Sequence, residues 1–462
     1  MMTKKITPTQ HFSPRASLAA FGARLHSLKF FDTIAEHVHI KQKTVRHTPL
    51  EKLTDAFIAI LSGAHGLSEI NTRVRSDRAL QRAFGRSSCA EQSVVQETLD
   101  RCTEENVRQL ERAVDCIFRA HAQTYRHDYD KDLQLLDADM TGLPCGAKAE
   151  NATKGYFSDE GIRTGRQQGR VVAARYDEVV VDRLFAGHVQ LTTAVQPLIT
   201  ATEQTLALTA AQRARTVIRM DAGGGSMGDV NWLLERGYHV HCKDFSTKRA
   251  EHFALSVKQW HDDPRRQGRQ IGWALVKRGQ YARDDVRRIA LRWRKKNGQR
   301  CTAMLLSTLA PADVFALLGT PLKQLADPQV VLAAYGQLYD ERGGAVEIEI
   351  KESKQGIGIT KRNKKRFAAQ AMVMLLGQLA HNFIVWCKRW LTEAAEVAKL
   401  KRYGIARLVR DVFTISGKVE IEAEQTIKRI TLNKSAPLAR HCLKALQALL
   451  KREHIRVILG ET

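Results

Sequence analysis

The sequence predicts an α/β protein: a sheet-containing core, a helical N-terminal region and a small C-terminal region. Three observations carry this. Residues up to about 130 place their apolar positions at helical spacing. "DLQLLDADMTGLP" and "GRVVAARYDEVVVDRLFAGHV" then bring β-branched runs with strand character. Finally, "RTVIRMDAGGGSMGDVNWLLERGYHVHCKDF", Arg215 to Phe245, reads as strand, glycine turn, helix and strand. Such alternation is the signature of an α/β sheet.

The elements follow in order. "TPLEKLTDAFIAIL" opens with a Thr-Pro cap signal, and "SSCAEQSVVQETLDRCTEENVRQLERAVDCIFRAH" is a second long helical stretch with a break near Thr103. This region, 1–130, is expected to bind DNA or mediate dimerisation. After the strands, "TATEQTLALTAAQRA" supplies a helix leading into the glycine stretch. Residues 246–305 combine short β-like runs with many arginines and with Trp273 and Trp293. Basic residues interleaved with aromatics can follow a nucleic-acid backbone and stack bases. More helix follows in "APADVFALLGTPLKQLADPQVVLAAYGQLYDERGG". The apolar run Phe367 to Trp386 contains Gln370, Gln378, His381 and Asn382, which marks a buried helix rather than a membrane span. Residues 396–462 form the C-terminal region.

Hydrophobic residues make up 44% of the 462, enough for a large core. Lys and Arg total 73 against 49 Asp and Glu, a net charge of +24. That excess points to a polyanionic partner, nucleic acid above all. The eight cysteines are scattered without a C-x-x-C, which argues against a zinc ribbon or a secreted disulfide framework. No signal-peptide core is evident, and a soluble, cytoplasmic protein is expected.

Asp221 ends a strand just before three glycines, and two chemistries compete for it. Gly223, Gly225 and Gly228 spell G-x-G-x-x-G, and Asp244 closes the next strand 21 residues after Gly223. This is the arrangement of a dinucleotide or S-adenosylmethionine pocket. Alternatively, Asp221 is a metal-binding carboxylate. The metal reading also employs the acids of "LLDADMTG": a polar side chain in a buried strand is costly unless paired or metal-bound. Asp139 is the candidate there. Asp137 shares its face of the strand and is the alternative.

The third acid comes with a family resemblance. "YDERGGAVEIEIKESK" resembles the signature Y-x(2)-R-x(3)-E-x(6)-K of bacterial insertion-sequence transposases of the DDE type, the insertion-sequence-four-like group. Tyr339, Arg342, Glu347 and Lys354 take its four positions, with four residues between Arg342 and Glu347. Glu349 is the fallback. "LLDADMTG" is similar to the family's first-aspartate strand, "RMDAGGGS" to its second motif, and "LAHNFIVW" to the helix closing its catalytic domain.

The resemblance implies an RNase H-like core over 131–245 and 306–395, with a β-rich insertion at 246–305. It sets a helix at Glu347, although "AVEIEI" alternates like a strand. It also implies that Asp139, Asp221 and Glu347 hold two Mg²⁺ ions, replaceable by Mn²⁺, for cleavage at element ends and strand transfer. The implied partners are double-stranded DNA, as terminal inverted repeats and target, and a second copy of the chain in the DNA complex. Tyr339, Arg342, Lys351 and Lys354 would contact DNA. "TKRNKKRF", with Lys361, Arg362, Lys364 and Lys365, is a backbone-binding candidate, and Trp293 a base-stacking one. A DNA-binding protein with an inactive core remains a further alternative.

Overall fold

The computed structural model describes residues 9–44, 46–157, 161–344, 346–394, 398–422 and 426–461. The chain forms two compact units. One, the sheet unit, comprises 123–142 and 153–350; the other comprises 1–122, 143–152 and 351–462. The boundaries expected from sequence, near 130 and 395, do not coincide with these units. Residues 351–395, expected within the core, cluster with both chain ends.

Strands are numbered along the chain from β1 (Thr9–Ser13), which belongs to the second unit. The sheet unit is built on β2 (Gln134–Pro144), β3 (Thr153–Phe157), β4 (Gly161–Ala173), β5 (Glu178–Ala186), β6 (Thr216–Met220), β7 (His239–Lys243), β8 (His261–Asp262), β9 (Arg269–Ala274), β10 (Arg287–Arg294) and β11 (Arg300–Ser307). Their order is β3-β4-β2-β6-β7-β11-β10-β9-β8, with β5 also paired to β4. The centre, β2-β6-β7, is parallel. β3 and β5 both run antiparallel to β4. Beyond β7 every pairing is antiparallel. The 246–305 segment is thus no separate body: after the helix Thr247–Ala254 it extends the same sheet.

Register follows from apolar patterning. Val217, Ile271, Ile289 and Leu305 turn to one core with Phe315, Tyr335 and Leu338, which come from the helices Pro311–Leu318 and Pro328–Gly343. Burial of such side chains stabilises by about 1.5–3 kcal/mol each. Pro311 and Pro328 each stand in the first turn, where a missing N–H costs nothing. Asp327 caps the longer helix by accepting from Gln329 N at 2.9 Å.

In the second unit, the long helix Phe367–Ala394 packs among the helices Pro49–Leu61, Gln92–Arg101, Glu104–His121 and Ala439–Leu449. Its apolar stretch passes the length and hydropathy test for a membrane span but is wholly buried in the protein. Phe30, Phe57 and Phe383 pack with ring centroids 6.0–6.4 Å apart. Thr48 with Glu51, and Thr103 with Asn106, form capping boxes, the second at the break expected near Thr103. The N-terminal region is not purely helical: β1 pairs antiparallel with β12 (Gly417–Ile421), which continues into β13 (Ile427–Asn433) and β14 (Arg456–Gly460).

Candidate active site

The parallel register of the sheet unit builds the site. Ala138 pairs with Met220, and Met220 with Cys242. The next residues along the chain are therefore Asp139, Asp221 and Lys243, one row where β6 and β7 end and midway along the longer β2. Neighbouring strands lie about 4.8 Å apart, and this edge of an α/β sheet is where ligands bind.

Two residues lower, the same face carries Asp137, Arg219 and His241 as paired partners. This row is sealed. Arg219 donates Nε to Asp137 Oδ1 at 2.6 Å, Nη2 to Oδ2 at 2.8 Å and Nη1 to the Leu338 carbonyl at 2.7 Å. His241 Nε2 meets the Tyr335 carbonyl at 3.1 Å. Burial, reinforced by Arg219, pushes its imidazole down to about 3, so it is neutral. Asp137 is thereby a structural partner of Arg219, and Asp139 is the acid at the open edge.

The helix Pro328–Gly343 lies over this face. Tyr335, Leu338, Tyr339 and Arg342 recur at three- and four-residue spacing and point the same way. Arg342, in the last turn, is only 3% exposed; its Nη2 contacts Asp139 Oδ2 at 2.8 Å and its Nη1 donates to Glu347 Oε1 at 3.2 Å. The resemblance places Arg342 at a DNA phosphate; in the structure its guanidinium faces inward onto two carboxylates. Asp139 and Asp221 raise its basicity further, against the opposing effect of burial.

Glu347 stands in the first turn of the helix Val346–Gly356, where an acid favours the helix dipole. The expected helix, rather than the strand suggested by "AVEIEI", forms. Glu347 is 60% exposed and reaches Arg342. Glu352 instead accepts the Ala406 amide at 2.6 Å, while the Glu349 carbonyl accepts from Arg170. Burial, with repulsion from Asp221 and Glu347, pushes the Asp139 carboxyl up to about 6 even though Arg342 opposes it. Burial likewise raises the Tyr339 hydroxyl well above its ordinary range, and lowers the Lys243 ammonium despite the attraction of Asp221.

The glycine loop has a steric explanation. A Cβ on Gly225 would lie 1.8 Å from the Lys243 carbonyl oxygen, so the loop needs glycine to pass over β7. Asp221 Oδ1 accepts Gly223 N at 2.8 Å, closing the turn. Asp244 is taken by Arg249, with Nε at 2.9 and 3.1 Å from its two oxygens, rather than open to a ribose.

Beside the row, Lys243, Trp260, Arg266, Trp293 and Tyr339 line a cavity of about 960 Å³. Trp293 is half-buried, with Lys243 Nζ 5.8 Å from its ring centre. Arg292 stacks on Trp260 at 4.0 Å. Sequence reasoning missed Lys243, although its place directly before Asp244 on a strand ending beside Asp221 was available. Trp260 was missed as a lone tryptophan outside any motif.

The basic run divides. Lys361 and Lys365 are exposed. Arg362 is buried and donates to the Ala64 carbonyl, and burial pushes it down to about 9. Lys364 Nζ reaches Gln96 Oε1 at 2.7 Å, and burial pushes it down to about 8. These two are interior residues rather than backbone contacts. Lys351 is exposed and Lys354 half-buried, four and seven residues beyond Glu347 on its helix.

Among the described residues, no three Asp, Glu, His or Cys side chains converge into a ready metal cage. The three acids around Arg342 are nevertheless an all-oxygen donor set, which suits Mg²⁺ or Mn²⁺. Asp139 and Glu347 share the single charge of Arg342 while Asp221 stands beside Asp139, an excess of negative charge that a cation would offset. The residues fit a divalent ion.

With fold and site in view, comparison with known proteins places the chain. The family described as "Transposase DDE domain group 1" matches residues 16–454, and the chain belongs to it: the protein is a transposase. Its fold is mixed α/β. No curated protein matches its sequence. A solved structure similar to it is the cryo-EM structure of piggyBac transposase synaptic complex with hairpin DNA, 12% identical over 89% of this chain and 87% of that one, with a TM-score of 0.33. A likeness at that level adds nothing to the family assignment.

Proposed function

We propose that the protein is an insertion-sequence transposase of bacterial type that cuts DNA at the ends of its element and joins them to target DNA, with Asp139, Asp221 and Glu347 as its catalytic acids. The observation that carries this is the row of acids where β6 ends: two aspartates on neighbouring parallel strands, of which Asp139 is joined through Arg342 to the glutamate of the next helix. The strand order β5-β4-β2-β6-β7 supports an RNase H-like core.

Asp139, Asp221 and Glu347 would hold two Mg²⁺ or Mn²⁺ ions, which supply an activated hydroxyl nucleophile and charge stabilisation of the leaving oxygen. The chain's own contribution is position. The parallel strands fix the two aspartates, and the sealed row beneath keeps their backbone rigid. Lys243 presents a cation to a phosphate at the same edge, with Tyr339 beside it. Trp293 offers a face for a base of distorted DNA. Lys351, Lys354, Lys361 and Lys365 offer charge to the DNA backbone, and two copies of the chain would meet on the paired ends.

Cleavage of a DNA fragment carrying the element's terminal repeats, in Mg²⁺, tests the reading. Asp221→Asn should abolish cleavage and leave DNA affinity nearly unchanged. Full cleavage by that variant would refute the assignment, and binding without any cleavage by the wild type would favour an inactive DNA-binding protein.

A further inference from the structure

Two buried arginines, one on β6 and one on the helix that covers it, are held very differently. Arg219 uses all three guanidinium nitrogens: both oxygens of Asp137 and the Leu338 carbonyl. It is fully satisfied and fixed. Arg342 is equally buried, yet among the described residues its Nε has no hydrogen-bond partner, and its two other nitrogens rest on carboxylates. Among the described residues, no backbone carbonyl accepts from it. One of its carboxylates, Glu347, is 60% exposed, so water competes for that arm; the other, Asp139, is 16% exposed.

The charges are unbalanced too. Arg342 is one positive charge facing Asp139 and Glu347, with Asp221 on the strand next to Asp139. A guanidinium fork matches carboxylate geometry and fills the position between the acids. It cannot neutralise three carboxylates.

We propose that Arg342 is a built-in stand-in cation: it holds Asp139 and Glu347 together in the metal-free protein and must release at least one of them before those carboxylates can close on a divalent ion. The proposal rests on the reading of Asp139, Asp221 and Glu347 as metal ligands, and gives the site two states. In the latched state the guanidinium bridges the acids. In the released state the acids turn to the ion and Arg342, with no backbone bond to break, swings away. Arg342 is thus a positioning residue that sets how readily the site loads. Removing its charge takes away a competitor for the same oxygens and leaves three acids repelling one another at short range.

The test is Mn²⁺ binding to DNA-free protein, followed by electron paramagnetic resonance of the free ion, beside melting curves in EDTA and in Mn²⁺. Relative to wild type, Arg342→Gln should bind Mn²⁺ about tenfold more tightly or better, in line with one unit charge removed near the site. It should melt lower in EDTA, and Mn²⁺ should close that gap. Arg342→Lys, which keeps the charge but loses the fork, should lie between the two; should Arg342→Gln not fold, this variant carries the test. Asp221→Asn should bind no Mn²⁺. If wild-type binding depends on Asp221 but Arg342→Gln binds no more tightly, the latch is overturned and the metal assignment stands. If neither protein shows Asp221-dependent binding, both are overturned.

Discussion

Asp137 and Asp139 lie two residues apart on one face of β2, yet the first is locked to Arg219 through both oxygens at 2.6 and 2.8 Å while the second meets Arg342 beside the end of β6. Strand alternation gives both the same direction. Their depth along the strand gives them different work, and each should fail differently when neutralised.

Asp137→Ala should cost about 3–5 kcal/mol of stability, because it strands the buried Arg219 charge. Asp139→Asn should remove cleavage while the fold persists. Thermal melting and a cleavage assay on the two variants check this, and a stable, inactive Asp137→Ala would reverse the assignment.

The raised Asp139 carboxyl predicts a pH dependence in metal-free buffer. Its folded value of about 6 lies above that of the unfolded chain, near 4. Between these values the folded state holds a proton the unfolded state has lost, so this contribution is complete below about pH 4 and fades as pH rises through 6. Above that, ionised Asp139 is a cost that asparagine avoids. Asp139→Asn in EDTA at about pH 8 should therefore be more stable than wild type by on the order of 1–3 kcal/mol. The gap should vanish below about pH 4; denaturant melts across the range measure it, and a variant no more stable at the alkaline end contradicts it.

The basic run should separate into two classes. Lys361→Ala and Lys365→Ala should each lower the slope of log affinity against log salt by about 0.9, one phosphate contact apiece. Arg362→Ala should lower the melting temperature, because its guanidinium is spent on the Ala64 carbonyl. DNA titrations at several salt concentrations, with melting curves, distinguish the classes. A lowered salt slope without any loss of stability in Arg362→Ala would place that side chain on DNA.

Gly225→Ala should destabilise by about 3 kcal/mol, since the added methyl meets the Lys243 carbonyl oxygen and the backbone must shift. Neither S-adenosylmethionine nor NAD at millimolar concentration should raise the melting temperature of the wild type. A saturable rise would restore the nucleotide reading of this loop.

What the sequence made legible is what local chemistry encodes. Acids within an apolar strand, an acid closing the next strand before glycines, and Glu347 among helix-compatible charges were all visible one segment at a time. The row Asp139–Asp221–Lys243 was not, because it depends on register between strands far apart in sequence. The glycines read equally well as a phosphate cradle, and only the passage of Gly225 over Lys243 decides for sterics. Arg342, Arg362 and Lys364 looked like surface charge because burial is a tertiary property. The pairing of β1 with β12 was hidden for the same reason as the row.

That pairing has a consequence for how the protein is made. Phe12 lies opposite Lys418, about 400 residues later in translation. The sheet unit, drawn from residues 123–142 and 153–350, has every strand it needs before β12 is synthesised, while β1 stays without its partner until then. A chain stopped before Gly417 would therefore hold every strand of the sheet unit and lack the partner of β1.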